Sequence, residues 1–246
     1  MTATENSVIA ANLERIKERI KLAADRAGRR AEDVTIVAVS KTFPSEAIRA
    51  AYDAGLRHFG ENRVQEWESK QPHVVDLDAT WHLIGHLQGN KARRAASLFD
   101  RVDSVDSVAI AQKLDAADRS GEEGEITVVG RDKQLPVLIE VRLSDESSKS
   151  GAAESDLPAL AEGVAKLTHL RLLGVMTVPP FLDDPEKVRP YFSKLRRLRD
   201  GLGQRLGQPL PVLSMGMSHD FDVAIEEGAT EIRIGSALFG ERAAKA

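Results

Sequence analysis

The sequence predicts an α/β protein made of one closed (β/α)₈ TIM barrel, with an extra helix in front of the first strand. The 246 residues contain eight short aliphatic runs, each followed by a segment of helical periodicity, with little linker between them. Runs such as TIVAVS and VLIEV are continuously apolar, as is typical of parallel strands covered by helices. An open doubly wound sheet is the alternative, but eight repeating units favour the barrel.

The predicted elements follow one another in a regular order. An amphipathic helix is predicted over residues 6–27, because Ile9, Leu13 and Ile20 recur at helical spacing and Gly28 supplies a stop. The strands are predicted at 34–40, 57–60, 81–85, 101–105, 137–143, 170–177, 212–215 and 231–235. The helices are predicted at 45–54, 62–70, 90–98, 107–120, 154–167, 185–206, 218–227 and 236–242. We expect residues 1–246 to form a single domain.

Two segments fall outside this repeat. Residues 121–136 are rich in glycine and charge around a short β-prone piece, which predicts a surface insertion before the fifth strand. Residues 144–156 form a polar loop after that strand, on the side of a barrel where active sites are built. We expect this loop to form a mobile rim.

Composition narrows the class of protein. Hydrophobic residues make up 42% and charged residues 29% of the chain, which is typical of a folded protein. A net charge of -4 provides no general attraction for nucleic acid. The helix predicted at 185–206 contains a cluster of basic residues, which fits a helix face exposed to solvent. The N-terminus lacks a signal peptide's apolar core and no window is apolar enough to span a membrane, so we expect a cytoplasmic protein.

Cysteine and histidine usage limits the chemistry. The chain contains no cysteine, which excludes disulfides, thiolate metal ligands and a cysteine nucleophile. Its six histidines are not grouped with carboxylates in ligand-like spacing, so no metal site is predicted.

Lys41 stands at the end of the first predicted strand, in TIVAVSKTFP, where the residues before it are apolar. Loss of solvation disfavours the ammonium form, which lowers the pKa of a lysine and leaves an amine able to attack a carbonyl. Alternatively, the side chain reaches the rim or pairs with a carboxylate such as Glu61. The strand by itself does not decide between the two.

Two glycine-containing turns follow the seventh and eighth strands. Ser218 lies in SMGMSHD, whereas Gly235 and Ser236 lie in RIGSALFG. Free N–H groups in such turns bind anions, and these two loops are where barrels commonly hold phosphate. Each serine would alternatively be a simple helix N-cap, but two turns at adjacent strand ends favour phosphate. A phosphate site beside a reactive lysine points to pyridoxal 5'-phosphate.

Six sequence blocks then occur in order over most of the chain, leaving out 121–136. They are AVSKT, FGENRVQE, WHLIGHLQGNK, GVMTV, LSMGMSHD and EIRIGSALFG. Together they resemble the pyridoxal phosphate homeostasis protein family, relatives of the barrel domain of alanine racemase. The resemblance implies an alanine-racemase-like barrel that binds pyridoxal 5'-phosphate and buffers or delivers it.

The resemblance also implies roles for individual residues. Lys41 would form a Schiff base with the cofactor, while Ser218 and the backbone of Gly235 and Ser236 would bind its phosphate. Arg233 matches the arginine that faces the pyridine nitrogen in the racemases.

Four further residues would line the cofactor pocket by the same resemblance: Asn62, His82, Met215 and Met217. Each has an alternative explanation. His82 would be a hydrogen-bonded histidine inside the barrel, Asn62 a helix N-cap, and the two methionines ordinary packing.

Arg233 bears on catalysis because arginine only donates hydrogen bonds and so favours an unprotonated pyridine ring, a poorer electron sink. The racemases use a lysine and a tyrosine on opposite faces of the ligand, the tyrosine coming from the partner chain's C-terminal domain. This sequence ends at Ala246, soon after the eighth unit, and Tyr52 and Tyr191 lie in helical patterns. We therefore expect a monomeric cofactor-binding protein with little or no catalysis, whose partners are cofactor-free enzymes and free amino acids.

Two other functions stay open. An amino-acid racemase or related enzyme would use Lys41 as one base and an unidentified second group as the other. A phosphate-binding barrel enzyme of sugar metabolism would use Lys41 to form an imine with its substrate. Exchange of the Cα hydrogen of amino acids with solvent deuterium would distinguish a racemase from a binding protein. A purified protein that is colourless and takes up no cofactor would indicate the enzyme of sugar metabolism.

Overall fold

A computed structural model describes residues 3–118, 134–144 and 150–240. The described residues form a closed barrel of eight parallel strands in sequence order, which confirms the predicted fold class. The sheet is closed because β1 pairs with β2 on one side and with β8 on the other. The strands are β1 (Thr35–Val39), β2 (His58–Glu61), β3 (Thr80–Leu83), β4 (Arg101–Val105), β5 (Leu135–Glu140), β6 (Leu170–Met176), β7 (Val212–Met217) and β8 (Glu231–Ile234).

Helices cover the outside of the barrel. They are α1 (Ala3–Arg26), α2 (Ser45–Asp53), α3 (Val64–Lys70), α4 (Ala92–Leu98), α5 (Val108–Asp118), α6 (Leu157–Ala165), α7 (Arg189–Leu206), α8 (Phe221–Glu226) and α9 (Ser236–Phe239). The predicted insertion at 121–136 lies outside the described residues except for 134–136, of which Leu135 and Pro136 open β5. No helix in the described ranges is both long enough and apolar enough to cross a membrane.

The first helix lies over the seam where the barrel closes. α1 packs against α2, α8 and α9, which flank β1 and β8. Ile9, Leu13 and Ile16 are buried on its inner side, as the helical spacing predicts. Asn12 adds a directional contact, because its Nδ2 donates to the carbonyl oxygen of Leu238 at 2.8 Å.

A layer of polar side chains fills the lower half of the barrel. Arg101 donates to both carboxylate oxygens of Asp103, at 2.6 and 2.9 Å, and also to Glu231. His82 Nδ1 lies 3.1 Å from Asp103, and its Nε2 lies 3.0 Å from His58 Nδ1. Burial alone would raise the pKa of Asp103, but Arg101 and His82 hold it well below its usual range. His82 is thus the hydrogen-bonded interior histidine that the sequence left as an alternative.

The same layer contains a group that sequence spacing did not reveal. The fold brings potential ligand atoms of His82, Asp103 and Glu231 within 4.8 Å of one another, although these residues are far apart in the chain. The expectation that no histidine is grouped with carboxylates is therefore wrong for the folded chain. The guanidinium of Arg101 lies between Asp103 and Glu231 and supplies the positive charge that these carboxylates need.

Gly174 of β6 offers a test of the packing between β6 and β7. It pairs with Val212, and a Cβ atom added at Gly174 would lie 1.8 Å from the carbonyl oxygen of Val212. We expect Gly174→Ala to lower the free energy of unfolding by about 3 kcal/mol, because the backbone must move. Gly201→Ala in α7 is the control: nothing lies within 4 Å there, and alanine should stabilise the helix by about 0.5–1 kcal/mol. Urea denaturation measures both, and equal effects would contradict the close approach.

Candidate functional site

A cavity of about 630 Å³ opens at the carboxyl ends of the strands. Its walls include Lys41 after β1, Glu140 at the end of β5, Ser218 after β7, and Arg233 and Gly235 of the last unit. The volume is in the range of small-molecule sites, and the position is the one where barrels of this type place their chemistry. A second cavity of about 570 Å³ lies at the far end of α7 and is lined largely by glycine, glutamine and proline.

The backbone before Lys41 is held by buried polar contacts. Ser40 Oγ donates to Glu61 Oε1 at 2.8 Å, and Lys70 Nζ donates to the carbonyl oxygen of Ser40 at 2.9 Å. Lys70 Nζ also donates to both oxygens of Glu61, at 2.9 and 3.1 Å. Burial raises the pKa of Glu61 in spite of Lys70. Glu61, which the sequence suggested as a partner of Lys41, is therefore bound to Ser40 and Lys70.

The residue after Lys41 adopts an unusual backbone conformation. Thr42 has a φ of 69°, which is uncommon for a β-branched residue. Its N–H donates to Glu66 Oε1 at 2.5 Å, and the same oxygen accepts from Lys70 Nζ at 2.6 Å. Such a conformation persists where its surroundings determine it. Contacts on both sides of Lys41 thus fix the turn from which its side chain projects.

The two predicted anion-binding turns meet at Ser218. Ser218 Oγ accepts from the backbone N–H of Gly235 at 3.3 Å and of Ala237 at 3.2 Å, so the hydroxyl lies against the first turn of α9. The alternative role as N-cap of its own helix is not observed, because α8 begins at Phe221 and Asp220 occupies its cap position. Ser236 is the first residue of α9 and also lines the cavity. The group can donate hydrogen bonds to an anion from a hydroxyl and from backbone N–H groups.

A bulge in β7 determines which methionine faces the cavity. The register between β7 and β8 shifts between Ser214 and Met217, and Gly216 has a φ of 94°. A Cβ atom at Gly216 would lie 2.5 Å from that of Ala224, so α8 approaches the bulge closely. Met217 consequently lines the cavity, whereas Met215 is buried in the core between the barrel and the helices.

Arg233 is buried in β8 and reaches the floor of the cavity. Its Nη1 donates to Ser214 Oγ at 2.7 Å and its Nη2 donates to the carbonyl oxygen of Thr177 at 2.6 Å. Burial lowers the pKa of Arg233, while Glu231 and other carboxylates oppose this. These contacts engage two of its five N–H donors, and others are available to a ligand.

Glu140 is a cavity residue that the sequence analysis did not identify. It ends β5, is 6% exposed, and its Oε2 is buried without a hydrogen-bond partner among the described residues. Burial raises its pKa to about 7, while Arg233 lowers it and Asp106 raises it. The signal in the sequence is a single acidic residue inside the apolar run VLIEV, a pattern that predicts only a strand.

The structure brings most of the predicted site residues together. The cavity is lined by Lys41, Asn62, Met217, Ser218, Arg233, Gly235 and Ser236. Asn62 does not cap α3, since Arg63 holds that position.

The structure places His82 deeper in the barrel and Met215 outside it, so neither lines this cavity as predicted. Of the loop predicted at 144–156, Ser150 contributes to the wall, and residues 145–149 lie outside the described segments.

Comparison with known proteins identifies the family. Residues 11–243 match the model of the alanine racemase N-terminal domain. The chain is 45% identical over 230 residues to the pyridoxal phosphate homeostasis protein of Aquifex aeolicus, covering 94% of this chain and 96% of the relative. It is 46% identical over 236 residues to the protein of that name from Pseudomonas aeruginosa, covering 96% of each chain. The resemblance seen in the six blocks is confirmed.

Solved structures agree with this assignment. PipY of Synechococcus elongatus, determined with PLP bound, is 40% identical with a TM-score of 0.76, and the match covers 92% of this chain and all of that one. An alanine racemase from Corynebacterium glutamicum is 18% identical with a TM-score of 0.68, and the match covers 96% of this chain and 61% of the racemase. This second similarity shows the barrel fold alone.

The buried pair of Lys70 and Glu61 can be tested by substitution. The side chain of Glu61 is 1% exposed, so Lys70→Met would leave a buried carboxylate without its cation. We expect the free energy of unfolding at pH 7 to fall by about 3–5 kcal/mol, and the double variant Glu61→Gln/Lys70→Met to regain most of this. Lys17→Met, which removes an exposed ion pair with Glu14, is the control and should change stability by under about 0.5 kcal/mol. A similar small loss for Lys70→Met would show that the contacts do not hold this turn.

Proposed function

This chain belongs to the pyridoxal phosphate homeostasis protein family, and we propose that it binds pyridoxal 5'-phosphate and buffers or delivers this cofactor inside the cell. One observation carries the proposal. A single cavity contains both a lysine at the end of β1 and, at the ends of β7 and β8, a serine hydroxyl against two backbone N–H groups. An aldehyde and a phosphate on one ligand would match these two features.

The residues of the cavity fit each part of this cofactor. Pyridoxal 5'-phosphate supplies an aldehyde that combines reversibly with primary amines. Lys41 would attach it as a Schiff base, and Ser218 with the N–H groups of Gly235 and Ser236 would bind the phosphate. Arg233 has N–H donors beyond those bound to Ser214 and Thr177, and one of them would donate to the pyridine nitrogen. Asn62 and Met217 would contact the ring from the cavity wall.

We further propose that the protein acts as a cytoplasmic monomer and that the chain forms a single domain. Its partners would be cofactor-free enzymes, to which it passes the cofactor, and free amino acids, which reach the open cavity. Neither Tyr52 nor Tyr191 lines the cavity, which supports binding over racemisation. Light scattering of the purified protein measures the mass, and a stable dimer would contradict the monomer.

Lys41 is the residue to test first. Borohydride reduction of the protein loaded with pyridoxal 5'-phosphate should fix the label on the peptide that contains Lys41, as read by peptide mapping. Lys41→Ala should abolish the labelling and the visible absorption of the bound cofactor. Lys91→Ala, which alters a lysine after β3 outside the cavity, should keep both. Label on another lysine, or full retention of colour by Lys41→Ala, would refute the assignment.

Ser218 can be tested with two ligands that differ only in the phosphate. Ser218→Ala should raise the Kd for pyridoxal 5'-phosphate about tenfold, because hydrogen bonds to charged groups contribute about 1.5 kcal/mol or more. Its affinity for pyridoxal, which lacks the phosphate, should stay within about twofold of the unaltered protein. Absorbance titration measures both constants. Equal weakening for the two ligands would place the phosphate elsewhere.

A further inference from the structure

The wall of the cavity opposite Lys41 carries charged groups that the anion site does not use. In the closed order of eight strands, β5 is four strands away from β1 in either direction, so Glu140 and Lys41 lie on opposite sides of the mouth. His86, beyond the end of β3, lines the cavity beside Glu140. Its Nδ1 lies 3.2 Å from Asp106, which follows β4. Two acids and a histidine therefore lie on this side of the mouth, and Glu140 and His86 line the cavity.

Among the described residues, Glu140 differs from the other buried acids of the barrel mouth because one of its carboxylate oxygens has no hydrogen-bond partner. Glu61 and Asp220 both accept hydrogen bonds, from Ser40 and Lys70 and from the N–H of Met217, respectively. Oε2 of Glu140 accepts none from the described residues, although Glu140 is more than nine-tenths buried. A buried polar atom without a partner is costly, and one at a cavity wall gains its partner when a ligand binds.

The charges around Glu140 indicate what kind of ligand group would bind there. Arg233 from β8 attracts its carboxylate, Asp106 repels it, and His86 attracts it, with Lys41 across the mouth. With the spare donors of Arg233 directed to the pyridine nitrogen, a ligand carboxylate placed against Glu140 would be repelled by it and by the nearby charge of Asp106. An ammonium group would donate hydrogen bonds to Glu140 and balance the second acid.

We propose that Glu140 forms an amine subsite, in which it binds the ammonium group of a primary amine opposite Lys41 and accepts a proton from it. The amine belongs either to a free amino acid or to a lysine side chain of a protein. The inference rests on the proposed function, since the amine would be the acceptor of the cofactor held at Lys41. It assigns to this site a second ligand class besides the phosphorylated aldehyde.

The proton transfer has a chemical purpose. An ammonium nitrogen has no lone pair and attacks no carbon, so an incoming amine must first lose one proton. That proton moves from the nitrogen to a carboxylate oxygen of Glu140, leaving a neutral amine and a neutral carboxylic acid. No other bond forms or breaks in this step. A carboxyl group with a pKa of about 7 accepts a proton near neutral pH better than an ordinary glutamate does.

The first test uses the cofactor-free protein. With ¹³C-labelled glutamate, the carboxyl signal that disappears in Glu140→Gln belongs to Glu140, and it should titrate near pH 7. Adding glycine, or Nα-acetyl-lysine amide as a lysine side chain, at pH 8 should shift this signal. A shift with either probe supports the subsite and distinguishes the two sources of amine. If neither probe shifts the signal, the subsite is refuted.

The second test measures exchange in the loaded protein. The rate at which each amine removes the cofactor is compared for the unaltered protein and Glu140→Gln, as the ratio of the two rates. The ratio should be close to one at pH 5, where Glu140 is neutral, and should rise to about tenfold or more at pH 8, with its midpoint near pH 7. Glu46→Gln, an exposed change at the start of α2, should give a ratio near one throughout.

The outcomes separate this inference from the proposed function. If the unaltered protein takes up no pyridoxal 5'-phosphate, the proposed function fails. If it binds the cofactor but the ratio for Glu140→Gln does not change with pH, only the amine subsite is refuted.

Discussion

The pairing of β1 with β8 is the constraint on which the site depends. These strands are almost 200 residues apart in the chain, yet Val37 pairs with Arg233 and Ala38 with Ile234. Lys41 follows the first strand and Gly235 the last, so closing the sheet puts the lysine that we propose as the attachment point and the turn that we propose as the phosphate site on neighbouring strand ends. α1 lies over this seam and packs on the helices beside it. A segment outside the eight-unit repeat therefore supports the part of the barrel that carries the chemistry.

Features that depend on local pattern could be predicted from the sequence. Continuous apolar runs identified the strands, and strand ends identified Lys41, Ser218, Arg233 and Gly235, because a parallel barrel collects such ends at one mouth. Features that depend on backbone irregularity could not. Met215 and Met217 would face the same side of a regular strand, but the bulge at Gly216 separates them. β7 extends to Met217 and α8 begins at Phe221, three residues later than predicted.

Long-range partners account for what else the sequence did not reveal. Three strands must come together in the barrel before His82, Asp103 and Glu231 form one group. The spacing of these residues along the chain does not indicate the group. Glu140 looked like an ordinary member of an apolar strand. We infer its importance from an oxygen that has no hydrogen-bond partner in the part of the chain that the structure describes, and from Arg233 and Asp106, which belong to other units. Unsatisfied hydrogen-bonding capacity is a property of the folded structure.

The two polar layers of the barrel differ in whether their unused hydrogen-bonding groups line the cavity, and the difference bears on what the protein does. In the lower layer Arg101, Asp103 and His82 are paired with one another, and the one unpartnered oxygen of Glu231 does not line the cavity. In the upper layer, within the described ranges, Arg233 keeps unused donors and Glu140 an unused acceptor, and both residues line the cavity. If Arg233 donates to the pyridine nitrogen as proposed, the ring would be a poor electron sink, which would restrain removal of a proton from carbon. Removal of a proton from nitrogen needs no such sink. The same acid opposite Lys41 therefore suits exchange of amines at the cofactor better than racemisation of amino acids.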